Sequence, residues 1–149
     1  EPTVGTIMRT GFSYLYIDQE CSVIDPRLTV FEQTERFNTG NWAEHELKSI
    51  LNRYLFPYDT WDKGCACLSG GEKIRLLFCC LMIRNNAPDV FILDEPTNNL
   101  DIQSVEIITA AIKSYRGTVL LISHDHYFVK EIKINRSIKL FDTGSVIKI

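Results

Sequence analysis

Three apolar runs in this sequence end in polar side chains that could do chemistry together. Residues 12–18 (FSYLYID) lead into Gln19, residues 90–93 (VFIL) into Asp94 and Glu95, and residues 118–123 (TVLLIS) into His124 and Asp125. Each run has the length and near-continuous apolar character of a strand covered on both faces. Ligands of open α/β sheets collect outside the carboxyl ends of the strands. A Gln at such a place also serves as an ordinary loop residue, and a single His is often a satisfied structural group. Two consecutive carboxylates are harder to explain structurally, because a buried strand gains nothing from them and burying charge is costly. Asp94 suits a Mg²⁺ held directly or through water, and Glu95 suits polarising an attacking water. His124 suits contact with a terminal phosphate and the same water. The set reads as phosphoryl transfer to water.

The segment Leu68-Ser69-Gly70-Gly71-Glu72 carries a second kind of signal. Ser69 and Glu72 fit the S-x-x-E capping box of a helix start. That cap does not need two glycines between its partners, since each weakens a helix. Gly70 and Gly71 are expected to leave the first amides bare, so that an anion can approach the positive end of the helix. Cap and anion site are compatible.

These groups need elements to hold them. Between the first and second runs the pattern is helical. Residues 42–55 place Leu47, Ile50, Leu51, Tyr54 and Leu55 on one face and end before Pro57, and residues 72–86 repeat the pattern with Ile74, Leu77, Phe78, Leu81 and Met82. Asp101 caps a helix presenting Ile102, Val105, Ile108, Ile112 and Tyr115, with Gly117 as its stop. Strand, helix and strand over 90–123 make a βαβ unit with parallel strands. Residues 137–141 and 145–149 flank Asp142-Thr143-Gly144 and predict a hairpin.

Composition bounds the rest. The 149 residues are 45% hydrophobic, enough for one packed core, and 23% charged. Sixteen Lys and Arg against nineteen Asp and Glu give a net charge of -3, with no basic surplus of the kind that marks nucleic-acid binders. No apolar run reaches membrane-spanning length, and the N-terminus has no signal-peptide pattern, so a cytoplasmic chain is expected. Cys79 and Cys80 point about 100° apart on a helix and cannot chelate together. Cys65 and Cys67 lack a second ligand pair, so reduced thiols, Cys21 included, are expected in place of a zinc site.

Taken together, the motifs resemble those of the nucleotide-binding domain of ABC ATPases. LSGGE at 68–72 is similar to the ABC signature, VFILDEP at 90–96 to the Walker B strand with its catalytic Glu, and Asn99-Leu100-Asp101 to the D-loop. Ser123-His124-Asp125 is similar to the switch histidine and Gln19 to the Q-loop glutamine. The elements keep the family's order and spacing from near residue 4 to near residue 141. The run from Asp94 to Asp101, followed by Ser123-His124-Asp125 and Phe128, most resembles the ABC-F subfamily, although Asn99 stands where many members have His. Members of that subfamily carry two nucleotide-binding domains on one chain, without a transmembrane partner, and act on ribosomes.

The resemblance implies an α/β fold with a P-loop NTPase-like parallel sheet core over 1–19 and 87–149, and a helical subdomain inserted at 20–86. It implies ATP and Mg²⁺ as cofactors. Glu95 would be the catalytic base, His124 the γ-phosphate switch and Asp94 the Mg²⁺ ligand through water. Gln19 would contact Mg²⁺ and the attacking water. Ser69, Gly70, Gly71 and Glu72 would bind the γ-phosphate of ATP held by a second nucleotide-binding domain, and Asp101 would communicate across that interface. A ribosome partner is implied for the intact protein, with no insertion into a membrane. The acidic balance leads one to expect no RNA-facing patch within this span.

No G-x-x-x-x-G-K-[ST] loop occurs in the 149 residues. The chain, which opens at Glu1, is therefore expected to be part of a nucleotide-binding domain begun after its Walker A strand and helix. Such a piece is expected to hydrolyse no ATP by itself and to self-associate through exposed core surface. Two other functions fit less of the sequence. A transporter's motor subunit would need a docking groove in the region around 21–58, where Phe31, Phe37 and Trp42 read better as core. A non-hydrolytic interaction module would have little use for Glu95 and His124.

Overall fold

Val90–Asp94 forms the middle strand of a three-stranded parallel sheet, as its apolar run requires. The computed structural model describes residues 11–98, 100–140 and 146–148. In chain order the elements are β1 (Tyr14–Ile17), α1 (Val30–Arg36), α2 (Glu44–Arg53), α3 (Gly70–Ile83), β2 (Val90–Asp94), α4 (Ile102–Ser114), β3 (Thr118–Ile122), α5 (His126–Ile132), β4 (Ile138–Leu140) and β5 (Val146–Lys148). The sheet order is β1-β2-β3, with Ile17 beside Leu93 and Leu93 beside Leu121. β4 and β5 pair antiparallel, as the predicted hairpin requires, while its turn, Asp142-Thr143-Gly144, lies outside the described residues. The α/β class and the parallel core are as expected.

One core joins sheet and helices. Ile17, Phe91 and Leu93 meet Leu76, Leu77 and Ile83 of α3, Ile108 and Ile112 of α4, and Phe128 of α5, all buried. The strands depart from the expected two-sided burial. Period-two alternation sends Leu15, Ile17, Phe91, Leu93, Val119 and Leu121 to the helix-covered face. Tyr14, Tyr16, Leu120 and Ile122 lie on the other face, 45–63% exposed, because the described helices pack on one side of the sheet.

Helix ends follow local chemistry more closely than periodicity did. Ser69 caps α3 with the predicted reciprocal box: Glu72 N–H donates to Ser69 Oγ at 3.2 Å, and Ser69 N–H to Glu72 Oε2 at 2.7 Å. The helix ends at Ile83, short of residue 86, where Arg84 turns extended. α2 is shorter than the predicted 42–55. Trp42 lies outside it, since Ala43 caps the helix with its N–H donating to Glu46, and the Trp42 indole Nε1–H donates to the Ile83 carbonyl at 2.9 Å. Asp101 caps α4 as predicted, but Gly117 does not stop it. The helix ends when Tyr115 adopts extended backbone (φ -70°, ψ 137°). Gly117 is required by close packing instead, since a Cβ there would fall 2.7 Å from the Asp89 carbonyl oxygen. All five cysteines are free thiols, and burial pushes those of Cys21 and Cys65 up to about 11. Among the described residues no helix is long and apolar enough to cross a membrane.

Candidate functional site

The carboxyl end of the sheet gathers the first cluster. Glu95 leaves β2 in the left-handed region at φ 48°, a conformation that costs a non-glycine residue about 1–3 kcal/mol. Its N–H donates to the Ile122 carbonyl at 2.8 Å, which ties the bend to the end of β3. The side chain thereby reaches His124: Nδ1 lies 2.8 Å from Glu95 Oε1, and the His124 N–H approaches Oε2 at 3.5 Å. The carboxylate is largely shielded and the imidazole largely exposed. The hydrogen bond from His124 to Glu95, reinforced by the carboxylate's charge, holds the His124 pKa above its ordinary value. With Nδ1–H committed to the carboxylate, Nε2 is the free ring nitrogen, an acceptor in neutral imidazole and a donor in the cation.

Asp94 faces the open side of the sheet. Its Oδ2 accepts a hydrogen bond from the Tyr16 hydroxyl on β1 at 2.8 Å, across 78 residues of sequence. That bond, together with the Asp94 charge, raises the Tyr16 pKa. Gln19 lies exposed in the turn after β1, beyond the same sheet end. No hydrogen bond joins it to Asp94 or Glu95 among the described residues. Asp94 and Gln19 offer oxygen donors only, the chemistry of a hard cation such as Mg²⁺. Among the described residues no three His, Cys, Asp or Glu side chains converge into a ready metal cage. Mg²⁺ keeps several of its waters and is bound by one or two protein groups plus substrate phosphates.

The second cluster surrounds the tip of α3. The two glycines there have different surroundings. Gly70 faces open space, whereas a Cβ on Gly71 would lie 3.2 Å from Ser104 Oγ and 3.5 Å from Asp101 Oδ2. Gly70 is thus open on its side-chain side, whereas Gly71 lets α3 pack on the cap of α4. Asp101 accepts from Ser104 N–H and Oγ–H, both at 2.8 Å. These bonds, with the nearby Arg75 charge, hold its carboxyl below the usual range. Glu72 accepts from the Ser69 N–H and from Lys63 Nζ at 2.8 Å. Burial opposes its charge, but the Lys63 and Ser69 bonds outweigh burial and lower its pKa.

The structure thus joins Glu95 to His124, and Gly71 to Asp101. It leaves Gln19 unattached and Asp94 held by a residue that sequence reasoning did not single out. Tyr16, Lys63, Arg75 and Ser104 were all missed. Their signals exist only once β1 lies beside β2 and α3 beside α4.

Residues 5–98 match the ABC transporter family. ABC transporter F family member 5 of Arabidopsis thaliana is 42% identical over 145 residues, covering 95% of this chain and 20% of that protein. An archaeal ribosome recycling factor, solved in complex with a ribosomal stalk protein, has the same fold at TM-score 0.73 and 24% identity, over 99% of this chain and 29% of its own. A dimeric ATP-binding cassette bound to ADP and phosphate aligns at TM-score 0.60 and 20% identity, over 80% of this chain and 56% of its own. The chain spans between 15% and 25% of the length of three curated relatives it matches.

Proposed function

The chain belongs to the ABC transporter family as an ATP-binding domain of F type, and on that premise we propose that it helps hydrolyse ATP in a cytoplasmic protein that acts on the ribosome. The observation that carries the hydrolytic reading is the 2.8 Å contact between Glu95 and His124 at the ends of adjacent strands. Glu95 takes a proton from water as its oxygen bonds to the γ-phosphorus and the bond to the ADP leaving group breaks. His124, held at Nδ1 by Glu95, keeps Nε2 for the γ-phosphate and helps orient the water. Asp94, through water, and Gln19 would hold Mg²⁺, which neutralises phosphate charge.

The tip at 69–72 receives the γ-phosphate of ATP carried by a second nucleotide-binding domain. In this reading Ser69 and the open Gly70 amide meet the phosphate, while Gly71 and Glu72 fix the tip against Asp101 and Lys63. Asp101 then senses that phosphate through its shared packing with Gly71. Residues 20–86 act as the helical subdomain that carries the tip, and the isolated 149 residues, which hold no phosphate-binding loop, hydrolyse no ATP.

A groove between α2 and α3, lined by Trp42, Ile50, Tyr54 and Met82, favours the second reading, a transporter subunit docking a membrane protein. One experiment separates the two. The full-length protein carrying Glu95→Gln, which retains ATP, is pelleted with ribosomes with and without ATP. Co-sedimentation only with ATP supports ribosome action. An ATP-bound protein left in the supernatant favours the transporter reading.

A further inference from the structure

The net charge of -3 conceals an asymmetry. Residues 1–112 carry nine Lys and Arg against sixteen Asp and Glu, whereas residues 113–149 carry seven against three. The fold gathers that surplus. Lys130, Lys133 and Arg136 line one cleft, and Lys133 and Arg136 border a neighbouring cleft of about 680 Å³ together with Lys113. All four side chains are exposed, and Arg116 is exposed close by in sequence to Gly117, which lines the larger cleft. Of the three acids in this stretch, Glu131 lies beside Lys130 in sequence. It is bonded to Lys113 at 3.0 Å, and the hydrogen bond and charge of Lys113, then the charges of Lys130 and Lys133, hold its carboxyl below the usual range. Among the described residues no carboxylate lies within 4 Å of Lys130, Lys133 or Arg136.

We propose that this cationic face, centred on Lys130, Lys133 and Arg136, docks on the phosphate backbone of RNA; the inference rests on the ribosome reading above and names its contact surface. Unpaired like charges held together repel one another and are relieved by a polyanion, whose condensed counterions they release. The polar Asn135 and Ser137 alternate with the cations and supply neutral donors for phosphate and ribose oxygens. A membrane surface fits less well. Stable attachment there needs a contiguous apolar signal beside the charge; Phe128 is buried, Ile132 and Ile134 are half-buried, and the exposed Tyr127 and Ile138 sit on different elements, α5 and β4. The location also suits docking. The larger cleft is bordered by Gly117, Thr118 and Val119 at the amino end of β3, about 16 Å along the strand from His124 at its other end. RNA bound here leaves the Glu95–His124 cluster open.

The test uses the full-length Glu95→Gln protein with ATP, sedimented with ribosomes across a salt series. The triple variant Lys130→Gln, Lys133→Asn, Arg136→Gln is compared with the charge-preserving Lys130→Arg, Lys133→Arg, Arg136→Lys, and ATP binding serves as the folding control. The expected result is unchanged ATP binding, at least tenfold weaker sedimentation for the neutral variant, and rescue by the charge-preserving one. The log–log salt slope should fall by about 2, since each lost phosphate contact removes about 0.7–0.9. The parent should also bind ribosomal RNA stripped of protein. A neutral variant that sediments like its parent overturns the inference and leaves the ribosome reading standing. An ATP-bound parent that does not sediment overturns both. Loss on ribosomes without binding to stripped RNA makes an acidic ribosomal protein the partner, and binding only to phosphatidylserine vesicles makes it a membrane; either overturns RNA docking.

Discussion

Glu95 and His124 face each other across the ends of β2 and β3, carboxylate oxygen to Nδ1 at 2.8 Å. The pair depends on a backbone feature. The left-handed turn at Glu95 aims the carboxylate sideways toward β3 and not along its own strand.

That contact makes His124 a reporter of the site. Because its folded pKa is raised, the bond to Glu95 stabilises the folded state fully below the unfolded histidine value of about 6.5 and fades as pH climbs through the raised value. Histidine-selective NMR of the full-length protein should find His124 titrating above about 6.5. Glu95→Gln should bring it back down. If the His124 midpoint ignores the substitution, the pair is not formed in solution.

Tyr16 and Asp94 make a different kind of pair. The Tyr16 hydroxyl fixes one Asp94 oxygen from a neighbouring strand, on the exposed face. Tyr16→Phe removes one exposed hydrogen bond and should change stability by less than about 1 kcal/mol. It should nonetheless raise severalfold the Mg²⁺ concentration giving half-maximal ATPase in the full-length protein, because Asp94 loses its orientation. An unchanged Mg²⁺ dependence would remove Tyr16 from the site.

Gly70 and Gly71 should part company on mutation. Gly70→Ala enters open space at a helical position, where Ala is favoured over Gly by about 0.8–1 kcal/mol, so stability should hold or rise while ATPase falls. Gly71→Ala presses on Ser104 Oγ at 3.2 Å and should destabilise by about 1–3 kcal/mol, the range for overpacking. Denaturant unfolding and ATPase on both variants decide it. Equal destabilisation would contradict the different surroundings of the two positions.

What was legible in advance was chemistry written in adjacent residues. The capping box at Ser69 and Glu72, the Asp101 cap and the paired carboxylates ending β2 all came through intact. Contacts across the fold did not. Tyr16 meets Asp94 only after β1 and β2 align, and Gly117 earned its reading as a helix stop from a pattern that Tyr115 and Asp89 override. α5 went unread because seven residues give too little periodicity, although Asp125 caps it through the Tyr127 and Phe128 amides. The cationic face was hidden by averaging charge over an acidic chain.

The open sheet face carries the last prediction. Tyr14, Tyr16, Leu120 and Ile122 form an apolar surface on the side of the sheet away from the described helices. Two copies of the isolated chain can remove that surface from water by stacking these faces, at about 25 cal/mol per Å² of apolar area covered. Light scattering of residues 1–149 should therefore give a mass that rises with concentration above the 17.1 kDa monomer. Leu120→Lys places a charge on that face, and its cationic end can still reach water in the monomer but not in a stacked pair. The variant should stay monomeric at concentrations where the parent associates. Association that Leu120→Lys leaves intact would mean the copies meet through another surface.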